Sequence, residues 1–359
     1  MLIKKVSASG FRNLFPFKIE PDGKMNVICG ENAQGKTNLL ESLWLFTGAK
    51  SFRTNKDSEL CSFDIKKSRI NMVYDSLNGE NEAVIDIENR RKAILNDKKL
   101  SSASLLAGSF CAIVFSPDDL SLVSGSPEKR RKFLDIAISQ IYPKYLETLK
   151  RYTRALSQRN YLLKEIKNSR GDISLLKPFE KELALSGSSI ILYRKRYLEI
   201  AEEFITEIYK GISSFKESFR IEYIPVCAPE ELEKRLEQTR NDDLLLGFTS
   251  IGPHRDDLDF LIDELSVRNY GSQGQKRSVA LALKLSEAEV LNKITGEYPV
   301  ALLDDVMSEL DPARQNYVLN HIKKMQVFLT CCDPANINNL SQGTVYKIES
   351  GKIIEINKK

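Results

Sequence analysis

The chain has 359 residues, which is long enough for one large domain with an insertion or for two domains. Hydrophobic residues make up 42% and charged residues 28%, both ordinary for a globular protein. Its formal net charge is only +4, so the total charge indicates no class of partner. The sequence has no long apolar run and no signal-peptide pattern, which argues against a membrane span and against secretion. It has no C-x-x-C pair, which argues against a zinc site and a disulfide framework. These features predict a cytoplasmic protein whose six thiols are buried or half-buried.

The first part of the chain predicts a strand, a glycine loop and a helix. Residues 2–7 and 25–29 have the pattern of strands, and the second run is short, apolar and followed by a glycine. Residues 37–46 place four large apolar side chains on one helix face. Between them lies a full match to the P-loop pattern, formed by Gly30, Glu31, Asn32, Ala33, Gln34, Gly35, Lys36 and Thr37.

This loop predicts a site for ATP and Mg²⁺. Gly30 and Gly35 let the backbone N–H groups of the loop point at phosphate oxygens. Lys36 is placed to reach the β- and γ-phosphates, and the Thr37 hydroxyl is placed to bind Mg²⁺. The alternative is a chance glycine turn before a helix.

A helical, basic segment follows near residue 117. Residues 128–170 contain twelve Lys and Arg but four Asp and Glu, and residues 183–209 predict a second long helix. Such a basic stripe fits contacts with the phosphate backbone of DNA. The alternative is a solvated helix face, because charge runs are usually exposed to water. The candidate DNA contacts are Arg130, Arg131, Lys132, Lys150, Arg151 and Arg154.

Residues 299–305 predict a Walker B strand, because an apolar run there ends in two carboxylates. Asp304 is the candidate Mg²⁺ ligand, through water. Asp305 is the candidate catalytic residue beside the attacking water. Its side chain is one methylene shorter than the glutamate that many such ATPases carry, which predicts slow hydrolysis. The alternative is a core strand that ends in solvated acids.

Three further segments have weaker patterns. Ser272, Gly274 and Gln275 precede a helix at 278–291 and can bind a phosphate, although a surface turn is the default interpretation. Residues 308–312 can contact a second subunit or form a simple N-capping turn. Residues 252–257, which include His254, fit a solvated turn and a functional site about equally, and no reaction follows from them.

These elements predict an α/β nucleotide-binding domain in two lobes. The first lobe covers residues 1–116 and carries the P-loop. The second covers residues 246–359 and carries the Ser272 loop, the Walker B strand and the 308–312 segment. A mainly helical arm, residues 117–245, is inserted between the two lobes.

Four segments, the P-loop, the Ser272 loop, the Walker B strand and residues 308–312, together resemble the ABC-type ATPase heads of the SMC and Rad50 class. The chain is still more similar to the RecF family of bacterial DNA repair proteins. That similarity covers nearly the whole chain in order, and it includes residues 11–13, 115–120, 130–135, 158–160 and 252–257.

The resemblance implies a DNA-binding ATPase switch for gap repair and replication restart, active in DNA damage and the SOS response. It implies single-stranded or duplex DNA at gaps and a RecR-like mediator as partners. It also implies an ATP-dependent homodimer in which Ser272 of one head covers the nucleotide of the other, with slow, DNA-stimulated hydrolysis. One departure is the lack of a switch histidine after the strand at 327–330, where Asp333 is a weak candidate for sensing the γ-phosphate.

Three other function classes stay open at this point. A transporter-type ABC motor needs a membrane partner and leaves the basic arm unexplained. A small-molecule kinase needs the P-loop but no Ser272 loop, and it would stay monomeric with ATP. A scaffold that binds ATP without hydrolysing it is compatible with Asp305 in place of glutamate.

Overall fold

Two units make up the structure, a computed structural model that describes residues 1–54, 56–213, 217–332 and 343–358. The first unit comprises Met1–Leu120 and Leu283–Lys359, and the second comprises Ser121–Ala282.

The first 120 residues contain most of the strands. They form β1 (Leu2–Ser9), β2 (Phe17–Ile19), β3 (Met25–Cys29), helix α1 (Lys36–Trp44), β4 (Ser68–Ser76), β5 (Gly79–Ile87), β6 (Arg91–Leu95), β7 (Lys98–Leu100) and β8 (Ala112–Phe115).

The middle of the chain is mainly helical. It contains α2 (Pro127–Ile141), α3 (Pro143–Lys167), α4 (Leu176–Ser213), β9 (Phe219–Ile224), α5 (Leu232–Gln238), α6 (Arg240–Leu246), β10 (Asp257–Ile262), β11 (Leu265–Ser266), α7 (Val267–Tyr270) and α8 (Gln273–Thr295). The remaining elements are β12 (Val300–Leu303), α9 (Pro312–His321), β13 (Val327–Cys331), β14 (Thr344–Glu349) and β15 (Lys352–Lys358).

A parallel sheet forms the centre of the first unit. Its strand order is β15-β14-β3-β13-β12-β8, and every neighbouring pair is parallel except β14 with β15. Strands β12 and β13 are buried along their whole length, as expected for parallel strands covered on both faces. Because β3, β13 and β12 are adjacent parallel strands, with β13 in the middle, the residues that follow them meet at one edge. A separate antiparallel sheet has the order β2-β1-β4-β5-β6-β7.

The second unit combines long helices with a small antiparallel sheet. Helices α3 and α4 pack against each other through buried side chains such as Tyr152, Leu163 and Ile190. The sheet has the order β11-β10-β9, with Leu258 paired with Tyr223 across its centre. Among the described residues, no helix is long and apolar enough to cross a membrane.

The α/β class and nearly every predicted element are confirmed, but the predicted start of the second lobe at residue 246 differs from the observed boundary at Leu283. The reason is the pairing of β9 with β10, which ties residues 257–262 to 219–224 by a full antiparallel ladder. A hydrophobic pattern shows where a strand lies but not which strand pairs with it. The assignment of functions to lobes stays a prediction.

Candidate nucleotide site

The P-loop connects β3 to α1 and uses its glycines where side chains cannot fit. Gly30 has φ of +154°, and a Cβ there would lie 2.3 Å from the carbonyl oxygen of Ile348 on β14. Gly35 has φ of +110°, and a Cβ there would lie 2.8 Å from Leu14 Cδ2. Gly30 therefore requires glycine for space, because the obstacle is backbone, and both positions require it for backbone conformation. The loop also holds Ala33 at φ of 64°, a left-handed conformation that a residue with a Cβ rarely adopts.

Lys36 is held by the loop that it belongs to. Its side chain is buried, and Nζ donates to the carbonyl oxygens of Gly30 at 2.6 Å and Glu31 at 3.0 Å. The Cys332 Sγ lies 3.7 Å from the same nitrogen. These acceptors are neutral, whereas a phosphate oxygen would carry charge and form a stronger hydrogen bond with the ammonium group. The lysine is thus poised to exchange backbone partners for a bound phosphate.

Thr37 and Asp304 bring the P-loop and the Walker B strand together. The Thr37 hydroxyl donates to Asp304 Oδ1 at 2.8 Å, and the hydroxyl of Thr330 at the end of β13 donates to the same oxygen at 3.0 Å. Burial raises the pKa of the Asp304 carboxyl above its ordinary value, and the two hydroxyl groups oppose that shift. A hydroxyl and a carboxylate at this distance form an oxygen donor set that fits Mg²⁺.

Thr37 and Asp304 supply two oxygen ligands from the protein. In the described parts of the chain, no three His, Cys, Asp or Glu side chains are placed to hold a metal together. That arrangement suits Mg²⁺, which proteins bind through one or two side chains while substrate phosphates and water supply the other ligands.

Asp305 follows Asp304 in a left-handed backbone conformation, with φ of 52°. Its backbone N–H donates to the Thr330 hydroxyl at 2.8 Å, and its carbonyl oxygen accepts from Ser308 at 2.7 Å. Aspartate tolerates this conformation better than most residues. Thr330 therefore holds the Asp304 carboxylate and the Asp305 backbone, a role that its place at the end of an apolar run did not reveal.

Residues outside the P-loop pattern also hold the loop. The turn between β14 and β15 reaches it, because the Gly351 N–H donates to the Gln34 carbonyl oxygen at 3.0 Å and the Ser350 N–H donates to the Gln34 side chain. From the other side, Asn13 donates to the Ala33 carbonyl oxygen at 3.3 Å. Asn13 lies in the 11–13 segment that carried part of the family resemblance, whereas nothing in the pattern of residues 350–351 pointed to the site.

A buried carboxylate anchors the helix that follows the loop. Glu41 of α1 is fully buried and accepts two hydrogen bonds from the Arg12 guanidinium, at 2.8 and 2.9 Å. Such paired hydrogen bonds fix direction as well as charge. None of the six cysteines, all of which lie in the described residues, is in a disulfide, but the prediction that all six are buried or half-buried is wrong for Cys332, which is exposed beside Lys36.

The Ser272 loop forms a capping box at the start of α8. The Ser272 Oγ accepts from the Gln275 N–H at 3.2 Å, and Gln275 Oε1 accepts from the Ser272 N–H at 2.8 Å. The spacing Ser-x-x-Gln is a known signal for this arrangement. The Gln275 Nε2 also donates to Glu217 Oε1 at 2.9 Å. Gly274 lies in the first turn of the helix, and Ser272 is exposed.

Arg130 does not fit the prediction of a DNA contact. Its side chain is only 1% exposed. The guanidinium donates to both oxygens of Asp257, at 2.7 and 3.0 Å, and to the carbonyl oxygen of Gly125 at 2.6 Å. Every end of the side chain is thereby engaged inside the second unit. Charge density along the sequence could not separate this arginine from its exposed neighbours.

The other candidate DNA contacts differ in accessibility. Arg131 is half-buried and donates to the Asp256 carbonyl oxygen at 2.7 Å. Lys132, Lys150, Arg151 and Arg154 are exposed, and Arg151 lies 3.6 Å from Glu182 in a surface ion pair. These four, three of them on α3, stay predicted DNA contacts.

Residues 252–257 contribute His254 and Asp256 to a polar cluster in the interior, so the solvated-turn interpretation is wrong for these two residues, although Arg255 between them is exposed. The Tyr152 hydroxyl and His254 Nδ1 share a hydrogen bond of 2.6 Å, and burial lowers the pKa of His254 to about 4. Asp256 is buried and bonds to Arg194 at 3.2 Å, to Tyr223 and to the Val226 N–H. The cluster joins α3, α4 and β10 and has the character of a structural core.

A second buried cluster surrounds Arg159, in the 158–160 segment of the family resemblance. This arginine is fully buried and donates to Asp243 at 2.7 Å, Thr249 at 2.8 Å and Glu180 at 3.0 Å. Burial alone would raise the pKa of Glu180, but hydrogen bonds from Arg240 and Arg159 hold it below its ordinary value.

The remaining predicted segments have simple outcomes. Residues 308–312 contain an N-capping turn, since Asp311 accepts from the Arg314 N–H at 3.0 Å and Pro312 begins α9. Asp333 lies outside the described residues.

Comparisons with known proteins agree with this geometry. The model of the RecF/RecN/SMC N-terminal domain family matches residues 2–353. The DNA replication and repair protein RecF of Clostridium kluyveri is 38% identical over 365 residues, which cover 99% of this chain and 100% of that protein. The protein of the same name from Bacillus cereus is 38% identical over 343 residues, with 92% of each chain covered.

Solved structures extend the comparison to the fold. The recombination mediator protein RecF of the RecFOR pathway, in a structure described as RecF-ATP, has a TM-score of 0.90 and 36% identity, covering 100% of this chain and 97% of that one. An SMC head bound to the C-terminal winged-helix domain of ScpA has a TM-score of 0.58 at 17% identity, covering 100% of this chain and 98% of that one, which shows a shared fold alone. The predicted ABC-type ATPase fold is thus confirmed, and the chain belongs to the RecF family of the RecF/RecN/SMC ATPases.

Proposed function

We propose that this chain is an ATP-dependent DNA replication and repair protein that acts in recombination, as its RecF relatives are named. The observation that carries the proposal is the 2.8 Å hydrogen bond from Thr37 to Asp304, because it unites a complete P-loop with a Walker B carboxylate. ATP is the proposed nucleotide, and Thr37 and Asp304 would hold the Mg²⁺ that neutralises its phosphate charge.

Hydrolysis is proposed to be slow. Asp305 is the candidate residue for orienting water, and its short side chain starts from a backbone fixed by Thr330 and Ser308. A carboxylate placed farther from the water is a less effective general base, which gives a long-lived ATP state. Slow hydrolysis suits a switch, and DNA is proposed to stimulate the hydrolysis that resets the switch.

ATP is proposed to join two copies of the chain, with Ser272, Gly274 and Gln275 of one copy against the nucleotide of the other. The exposed Ser272 at the start of α8 supports this role, because helix N-termini attract phosphate groups. DNA, held by Lys132, Lys150, Arg151 and Arg154, and a RecR-like mediator are the proposed partners. A cytoplasmic location follows from these partners.

Light scattering with and without ATP·Mg²⁺ tests the proposal. We expect ATP to double the mass of the unsubstituted chain, and we expect Lys36→Met and Ser272→Arg each to abolish the doubling. Lys36→Met should also lose ATP binding, whereas Ser272→Arg should keep it, because Ser272 would act on the partner's nucleotide. A chain that binds ATP but stays monomeric with DNA present would instead support a scaffold or a kinase.

A further inference from the structure

The loop that carries Ser272 is tied to the long helix α4 by one carboxylate. Glu217 lies just before β9, with Oε1 accepting from Gln275 Nε2 at 2.9 Å and Oε2 accepting from the Tyr209 hydroxyl. Tyr209 is fully buried near the end of α4, and its ring stacks on Phe219 of β9 with centroids 5.0 Å apart. The tyrosine is therefore a rigid support for the carboxylate.

This contact decides which way the Gln275 amide points. A glutamine amide has a donor end and an acceptor end, and either can face a given neighbour. Here the donor end meets the Glu217 carboxylate, so the acceptor end must face the Ser272 N–H, which donates to it at 2.8 Å. In the opposite orientation, an amide oxygen would face a carboxylate and an NH₂ group would face an N–H. The carboxylate thus selects the orientation that forms the capping box.

We propose that Glu217 is a positioning residue that presents the Ser272 loop to the nucleotide of a partner copy and couples that loop to α4. The inference rests on the proposed ATP-driven dimer. Ser272 is exposed, and the carboxylate of Glu217, itself supported by Tyr209, fixes the side chain that caps the Ser272 N–H. Glu217 acts through Gln275 and touches no nucleotide in this role.

The coupling has a direction. Helix α4 is the 38-residue helix that packs on α3, where three of the predicted DNA contacts lie. A shift of α4 along its axis would move Tyr209, and with it the carboxylate that orients Gln275. The state of the arm can therefore reach the dimerisation loop through two hydrogen bonds, one at each carboxylate oxygen.

Two measurements on the same variants test this role. We expect Glu217→Ala to weaken the ATP-driven dimer about 10-fold or more, because a charge-assisted hydrogen bond is lost. The affinity of the monomer for ATP should stay within about twofold, since the P-loop is unchanged. Tyr209→Phe keeps the stacked ring, removes one hydrogen bond, and should give a smaller loss of dimer.

A swap of the pair separates positioning from general folding. Gln275→Glu places two carboxylates against each other and should weaken the dimer. The double variant Glu217→Gln with Gln275→Glu restores a donor facing an acceptor, leaves an oxygen for the Ser272 N–H, and should recover dimerisation. A merely structural defect would not be rescued by a second substitution.

The outcomes distinguish this inference from the proposed function. If the unsubstituted chain does not dimerise with ATP, the proposed function and the positioning role both fail. If it dimerises and Glu217→Ala dimerises equally well, or the double variant is no better than Gln275→Glu, the positioning role alone is wrong.

Discussion

Lys36 and Asp304 in the nucleotide site have surroundings opposite to those of the charged residues buried in the helical unit. Lys36 has carbonyl oxygens and a thiol around it, and Asp304 has hydroxyl groups, so among the described residues neither forms an ion pair. Arg159 in the second unit is instead matched by Asp243 and Glu180. A buried charge with neutral neighbours is ready to receive a charged ligand, whereas a buried charge with its counter-charge is already satisfied.

The largest expected effect is a loss of stability when the buried ion-pair cluster around Arg159 is broken. Arg159→Ala should lower the free energy of unfolding by about 3–5 kcal/mol, because it leaves Asp243 buried without its counter-charge and removes one of the two arginines that bond to Glu180. Urea unfolding measures this loss. The matched control is Arg151→Ala on the same helix, where the exposed ion pair should contribute less than about 1 kcal/mol. Equal losses would mean that the cluster is not a source of stability.

The pH dependence of stability tests the other buried cluster. The pKa of His254 is about 4 in the folded chain and ordinarily 6.5, so the unfolded chain binds the extra proton between those values. Stability should fall as pH drops from 6.5 to about 4, by about 3 kcal/mol from this residue. His254→Gln cannot titrate and should show a smaller fall over that window. An unchanged pH slope would show that His254 is not held neutral.

The affinity for ATP tests the role of Lys36, whose hydrogen-bond partners in the P-loop are neutral. Lys36→Ala should weaken ATP binding about 10- to 100-fold, because a hydrogen bond between charged groups is lost. Titration calorimetry measures the affinity, and Lys50→Ala, an exposed lysine just beyond α1, is the control. If the Lys36 variant binds ATP as well as the control does, the buried lysine is not a phosphate ligand.

The smallest expected effect concerns the exposed arm. Arg154→Ala should weaken DNA binding similarly for all sequences and reduce the salt dependence of the affinity by about one counterion. Fluorescence anisotropy at several salt concentrations gives this slope, and Lys99→Ala on the exposed strand β7 is the control. An identical slope in both variants would place DNA elsewhere.

The sequence predicted the parts of the site whose chemistry is local. The P-loop pattern located Lys36 and Thr37, and the apolar run at 300–303 located Asp304, because each signal lies within a few residues. The Ser-x-x-Gln spacing carried the capping box as well, although it was not interpreted in that way. Local patterns of this kind survive folding because they depend on backbone conformation alone.

Contacts between segments far apart in the chain could not be predicted from the sequence. Thr330, Gly351 and Glu217 act through partners that lie far from them along the chain, and no periodicity marks them. The burial of Arg130 could not be predicted for the same reason. Its neighbours Arg131 and Lys132 have the same charge, but only Arg130 meets Asp257 in the interior. Burial is decided by pairing across the fold, which a count of charges does not include.

The turn after β14 has a consequence for the order in which the protein is made. The P-loop leaves the ribosome early, but its supports at Asp304, Thr330 and Gly351 are synthesised roughly 270 to 320 residues later. At translation rates of about 5–20 residues per second, the loop waits tens of seconds for them. The helical unit can form its buried clusters in that interval. Competence to bind nucleotide is therefore among the last properties that a newly made chain acquires.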